Sequence, residues 1–178
     1  MTSILWRRLD REGHEAARIA GTTLSGTAVF EFEGQACALS YEVVCDDAWR
    51  TRSATVRGFV GAREIDVGID VDGERWLLNG EEVEAVRGCV DVDFNFSPST
   101  NLLPIRRGCN GAVRAAWLRF PSFALEPLEQ SYERIGERLY RYASATGFTA
   151  DIEVNDDGLP VHYPGLAVDV LSQSSSRR

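Results

Sequence analysis

The sequence contains no lysine, so all nineteen of its basic residues are arginine. Its 27 acidic residues leave a net charge of −8, which argues against nucleic acid or an anionic membrane as the main partner. No apolar run approaches the roughly 20 residues that a membrane-spanning helix needs, and the first residues lack the apolar core of a signal peptide. We therefore expect a cytoplasmic protein without membrane insertion.

Motifs for catalysis and for metal or cofactor binding are also missing. The chain has no GxSxG elbow, phosphate-binding loop or dinucleotide fingerprint. Its four cysteines form no CxxC pair, and His14 and His162 are the only imidazoles. These observations predict buried free thiols, no metal site and no cofactor.

What the sequence does contain is alternation of apolar and polar residues, the pattern of a strand with one buried face. A chain of 178 residues is long enough to bury a core as a single domain, predicted here over residues 1–171. The pairs Asp72-Gly73, Asn79-Gly80 and Asp157-Gly158 predict hairpin turns. Strands are predicted at 24–33, 37–44, 53–60, 64–71, 76–78, 112–120, 152–154 and 161–163.

Three segments need separate interpretation. Residues 125–143 favour two strands that turn near Gly136, with a helix as the alternative. Residues 70–80 and 155–165 share an acidic-Gly turn, an aromatic strand and a closing glycine, which indicates an internal duplication or merely shared hairpin chemistry. The Ser-rich end, residues 172–178, is predicted to be a disordered tail.

The segment 88–107, GCVDVDFNFSPSTNLLPIRR, combines carboxylates, a polar corner and two arginines. Asp91 and Asp93 fall on one strand face with Cα atoms about 6.6 Å apart. Inverting glycosidases hold their carboxylates about 6.5–9.5 Å apart, so the pair fits an acid and a base, although the favoured interpretation is structural, with each aspartate held by an arginine. Arg106 and Arg107 are adjacent, so we expect only one of them to reach the aspartates.

The corner between Pro98 and Pro104 carries Ser99, Thr100 and Asn101, which predicts either a structural turn or the mouth of a pocket. Trp and Tyr residues in strand-like runs combine an apolar body with a polar tip, which suits the wall of an amphiphile pocket. They are Trp49, Trp76, Trp117, Tyr41, Tyr132, Tyr140, Tyr142 and Tyr163.

Several motifs together resemble a bacterial family of glycolipid-binding domains over roughly residues 5–168. They are WRRLDREGHE from position 6, YEVVCDDAWRTR from position 41, the 88–107 block, QSY at 130–132, YRY at 140–142, GFTADIEV at 147–154 and VHYPGLA at 161–167. The chain departs from the family pattern after the two arginines, where a leucine is usual and Gly108 stands here.

The resemblance implies a mainly β fold with little helix, in which a single large, strongly curved antiparallel sheet forms a barrel or half-barrel. It also implies non-enzymatic binding of a lipid or glycolipid-like amphiphile, by a monomer or homodimer. The alternatives are a carbohydrate-active hydrolase that uses Asp91 and Asp93, and a scaffold with a filled barrel and no ligand. The candidate ligand-binding residues are Trp49, Arg52, Asp91, Asp93, Asn101, Arg106, Arg107, Tyr132, Tyr142 and Tyr163.

Overall fold

A computed structural model describes residues 1–171, which form one sheet of fifteen strands. The predicted disordered tail at 172–178 lies outside the described residues. All neighbouring strands pair antiparallel except β9 and β10, which pair parallel. The first eight strands are β1 (Thr2–Arg8), β2 (Gly13–Ala20), β3 (Thr23–Phe32), β4 (Gln35–Cys45), β5 (Thr51–Val60), β6 (Arg63–Asp72), β7 (Arg75–Leu78) and β8 (Glu81–Glu82).

The second half of the chain adds seven strands and little helix. A short helix, α1 (Leu102–Arg106), follows a 3₁₀ turn at Ser99–Asn101, and another 3₁₀ turn spans Glu84–Val86. None of the helices within residues 1–171 is long and apolar enough to cross a membrane. The strands are β9 (Asp91–Phe94), β10 (Gly111–Arg119), β11 (Ala124–Arg134), β12 (Leu139–Ser144), β13 (Thr149–Val154), β14 (Pro160–Tyr163) and β15 (Ala167–Asp169).

The sheet consists of two meanders joined at its centre. Strands β1 to β8 form one meander and β10 to β15 the other, and β1 pairs with β15 between them. The two edge strands, β8 and β9, are consecutive in the chain and only eight residues apart. So short a connection brings the edges near each other, which requires strong curvature. Within residues 1–171 no ladder pairs β8 with β9, so the expected barrel is a curved sheet that strand pairing leaves unclosed.

The connections of the meanders determine where loops gather. In an antiparallel meander, alternate turns fall at the same end of the sheet. The β1–β2, β10–β11, β12–β13 and β14–β15 turns therefore share one end, called here the pocket end. Two contacts agree with this assignment, because Leu9 donates to the carbonyl of Leu166 and Asn95 Oδ1 accepts from the Phe120 backbone.

The interior of the curved sheet is filled by residues 96–105, called here the inner segment. All ten of these residues are buried, polar Ser97, Ser99, Thr100 and Asn101 included. The segment leaves β9 at the pocket end and runs to the opposite end, where the guanidinium groups of Arg106 and Arg107 meet Asp157 and Asp91. The inner segment therefore occupies interior space that a hollow barrel would leave open.

Most strand predictions are confirmed. Residues 125–143 form β11 and β12 with a turn at 135–138, so the helix alternative is wrong. The apolar and polar residues alternate from Val90 to Ser97, which predicts a strand there, but the strand ends at Phe94. Trp49 lies in a turn with φ of 59° rather than in a strand. Three cysteines are buried free thiols as expected, whereas Cys109 is partly exposed.

Candidate functional site

A pocket of about 290 Å³ lies at the pocket end, between the inner segment and the second meander. Its walls combine polar and aromatic side chains from β9, β10, β12 and β14, and its rim comes from the turns that gather at this end. The polar and aromatic side chains of its lining include Asp10, Asp93, Asn101, Trp117, Tyr142 and Tyr163.

Asp93 stands at the base of the polar wall. Gln130 Nε2 donates to Asp93 Oδ2 at 2.8 Å and also to the Tyr142 hydroxyl at 3.0 Å. In the described residues Asp93 has no ion-pair partner. Burial raises the pKa of Asp93 to about 6, with a further increase from the charge of Asp91, and the Gln130 hydrogen bond opposes both. The carboxyl is thus mainly ionised at pH 7 without a compensating cation.

Trp117 is the register neighbour of Asp93 across the parallel β9–β10 pair. Its indole N–H is inaccessible and has no hydrogen-bond partner in the described part of the chain. A buried donor without an acceptor destabilises the folded state by roughly 1–3 kcal/mol, and folded proteins usually provide such donors with an acceptor. The pocket wall therefore carries an unsatisfied donor beside an unpaired carboxyl.

An aromatic cluster also lines the pocket. The rings of Tyr142, Tyr163 and Phe148 contact one another, with centroid separations of 6.0 to 6.2 Å. Tyr132 packs behind them, 5.2 Å from Tyr142, and donates its hydroxyl to Asn101 Oδ1 at 2.8 Å. Tyr132 thus fixes the inner segment against the second meander and stands outside the pocket lining.

The remaining predicted residues gather at the opposite end of the sheet. Arg107 binds Asp91 through two hydrogen bonds of 2.5 and 2.6 Å and donates to the carbonyl of Trp49 at 3.3 Å. Arg106 lies 4.9 Å from the centroid of the Trp49 ring and donates to Asp157. Burial raises the pKa of Asp91, and Arg107 opposes this increase.

Comparison with known proteins identifies the family. The sequence profile of the family described as "Putative glycolipid-binding" matches residues 3–168. The chain belongs to this family. A crystal structure of a DUF1089 family protein from Pseudomonas aeruginosa is also similar, with 29% sequence identity and a TM-score of 0.78 over 85% of this chain and 89% of that one. A search of curated proteins finds no match.

Within this family fold, the ten predicted residues divide into separate groups. Four line the pocket, namely Asp93, Asn101, Tyr142 and Tyr163. Tyr132 supports it from behind, and Arg52 pairs with Asp46 near the surface. Trp49, Asp91, Arg106 and Arg107 form the cluster at the far end.

The expectation that one arginine reaches the aspartates is confirmed only for Asp91, because Gln130 rather than arginine contacts Asp93. The pocket lining also includes Asp10, Trp117 and Phe148, which are not among the ten candidate binding residues. The sequence pattern marks Trp117 only as one of eight aromatic residues suited to a pocket wall. Asp10 and Phe148 lie in turns, and only the topology shows that these turns meet.

Proposed function

We propose that the protein binds a small amphiphilic, glycolipid-like molecule without catalysis, and that the polar group of this ligand enters the pocket at Asp93. One observation carries the proposal. Within residues 1–171, a carboxyl without a cationic partner lines a pocket that is also lined by aromatic rings. A few convergent polar groups in an otherwise apolar pocket are typical of small-molecule sites.

The dimensions of the pocket support a polar head group rather than a whole lipid. Its volume of about 290 Å³ lies at the lower limit of ligand pockets, which measure about 300–1,000 Å³. The inner segment, together with the hydrophobic core, occupies the rest of the interior. A long alkyl chain therefore has no space within the sheet.

The rim of the pocket offers a place for an apolar tail. Phe148 is 42% exposed and Leu9 is 41% exposed, and Leu166 lines the pocket beside them. The backbone hydrogen bond between Leu9 and Leu166 holds these two turns together. Apolar side chains around a polar pocket match a ligand that has a polar head and a short buried length of tail.

The hydrolase alternative receives no support from the carboxylate geometry. A two-carboxylate mechanism needs both groups free to exchange protons with substrate and water. Both oxygens of Asp91 accept hydrogen bonds from Arg107, and Asp91 lies outside the pocket lining. The pair Asp91 and Asp93 is therefore divided between a buried ion pair and the pocket.

The experiment compares binding of octyl glucoside, below its micelle-forming concentration, to the wild type and to two variants. Ser144→Phe fills the pocket from β12, whereas Ala112→Phe places the same ring on an exposed position of β10 away from the pocket. We expect native mass spectrometry and thermal shift to detect binding by the wild type and Ala112→Phe but not by Ser144→Phe. Absence of binding by the wild type, or equal binding by Ser144→Phe, would refute the proposal.

A cytoplasmic location, a monomeric or homodimeric state, and the absence of a nucleic-acid partner remain predictions from the sequence. Gel filtration with light scattering measures the oligomeric state directly.

A further inference from the structure

The charged side chains that line the pocket are all of one sign. Among residues 1–171, these are Asp10 and Asp93, although the sequence contains nineteen arginines. Asp10 is neutralised, because the guanidinium group of Arg8 binds both of its oxygens at 2.8 and 2.9 Å and Arg11 adds a contact at 2.8 Å. A phosphate or carboxylate head group would meet Asp93 without a cation to stabilise it.

Asp93 differs from Asp10 and Asp91 in lacking a cationic partner within residues 1–171. The amide of Gln130 occupies Oδ2 only, and burial of the carboxyl disfavours its charged form. Buried charges in proteins are normally paired. A ligand that brings a positive charge would therefore gain a Coulombic interaction that the protein itself leaves unmade.

Trp117 adds a second requirement beside the first. Its indole N–H needs an acceptor, which an ammonium group does not offer. The register pairs Trp117 with Asp93, and paired strands lie about 4.8 Å apart, so rotation of the Trp117 indole toward the pocket would bring its N–H to a head group bound at Asp93. The rings of Tyr142 and Tyr163 also line the pocket, and the faces of such rings attract cations.

We propose that the pocket selects a head group in which a protonated amine stands next to a hydroxyl or ether oxygen, as in an amino sugar or an amino alcohol. The amine donates to Asp93, and the neighbouring oxygen accepts from the Trp117 indole. A neutral sugar satisfies the hydrogen bonds but leaves the carboxylate charge uncompensated. This inference rests on the proposed function, since it assigns the chemistry of the same pocket.

The experiment uses probes with the same tail and different head groups, measured by isothermal titration calorimetry at pH 7. Octyl glucosaminide differs from octyl glucoside only by an amine in place of one hydroxyl. We expect the amine to improve affinity at least tenfold and octyl phosphate to bind more weakly than either. N-octylethanolamine is the amino-alcohol arm: affinity equal to that of the glucosaminide assigns the preference to the shared amine and oxygen, whereas weaker binding restricts it to amino sugars.

The pH dependence tests the role of Asp93 without any substitution. With a pKa of about 6, the ionised fraction falls from roughly 90% at pH 7 to roughly 10% at pH 5. The amine advantage should fall about tenfold over this interval. In Asp93→Asn, which keeps the shape of the side chain, it should be absent at both pH values.

The outcomes separate the two proposals. Equal affinity for octyl glucoside and octyl glucosaminide at pH 7, blocked by Ser144→Phe, would overturn the amine preference and leave the proposed function intact. An amine advantage that is the same at pH 5 as at pH 7, or that persists in Asp93→Asn, would also overturn it, because the charge would then act elsewhere. Failure of octyl glucoside to bind the wild type would overturn the proposed function itself.

Discussion

Substitution of Glu15 by glutamine tests how the protein holds a carboxyl beneath the inner segment. Glu15 lies on β2 and is 1% exposed, and its Oε1 accepts hydrogen bonds from Tyr41 at 2.6 Å and Ser97 at 2.5 Å. Its other oxygen is buried without a hydrogen-bond partner in the described residues. Burial raises the pKa of Glu15 from 4.5 to about 7, against the opposing hydrogen bonds from Ser97 and Tyr41.

The sign of the effect follows from proton binding. The folded protein retains the Glu15 proton to a higher pH than the unfolded chain, so stability falls as pH rises from about 4.5 to about 7 and stays low above that. At about 1.36 kcal/mol per pKa unit, the loss is about 3 kcal/mol. Glutamine resembles the protonated carboxyl and does not titrate, so Glu15→Gln should escape this loss.

The assay is urea unfolding of the wild type and Glu15→Gln between pH 4.5 and pH 8.5. The free energy of unfolding of the variant, relative to the wild type, should rise by about 3 kcal/mol across this range. Glu42→Gln, at an exposed position of β4, controls for loss of a negative charge and should show no comparable rise. A difference between Glu15→Gln and wild type that does not change with pH would refute the reasoning.

Three further predictions concern other contacts. Arg107→Met leaves Asp91 buried and unpaired and should lower the free energy of unfolding by about 3–5 kcal/mol. Adding Asp91→Asn to the same chain should restore most of this stability, and thermal unfolding of the single and double variants measures both effects. Gly26→Ala places a Cβ 2.4 Å from a buried tyrosine hydroxyl and should cost about 1–3 kcal/mol, whereas Gly68→Ala, whose nearest contact is 3.9 Å, should cost less in the same assay. Among the cysteines, Cys109 should react first with a thiol reagent, and the three buried thiols should react only when the protein unfolds. Simultaneous reaction of all four would contradict the burial of these three cysteines.

The alternation of side chains made most strands predictable, whereas β1, β2, β8 and β15 were not predicted. Strands β1 and β2 escaped prediction because their inward positions include Arg8 and Glu15, which look like solvent-facing residues in a hydropathy pattern. Both charges are buried: Arg8 reaches Asp10 and the carbonyl of Phe96, and Glu15 reaches Ser97. Phe96 and Ser97 lie more than 80 residues away from Arg8 and Glu15 in sequence, so these two contacts leave no local signal.

The inner segment shows the same limit for the site. Its Ser, Thr and Asn residues are typical of a surface corner, and the sequence correctly identified a bend there. Their burial depends on Glu15 from the first meander and Tyr132 from the second, which contact Ser97 and Asn101. Only the pairing of β1 with β15 brings those two meanders around one segment.

The separate roles of Asp91 and Asp93 follow from where the inner segment returns. Two residues apart on β9, they face the same side, yet Asp91 lies at the end of the sheet to which the segment brings Arg107 back. Asp93 lies two residues further along β9 toward the pocket end, where its neighbours are Trp117 and Gln130. Because Arg106 meets Asp157 at the far end, neither arginine is left for Asp93. Within residues 1–171, one of these two aspartates is thus left without a cation at the place where a pocket opens, and that asymmetry is why the candidate site is assigned to Asp93 rather than to the pair.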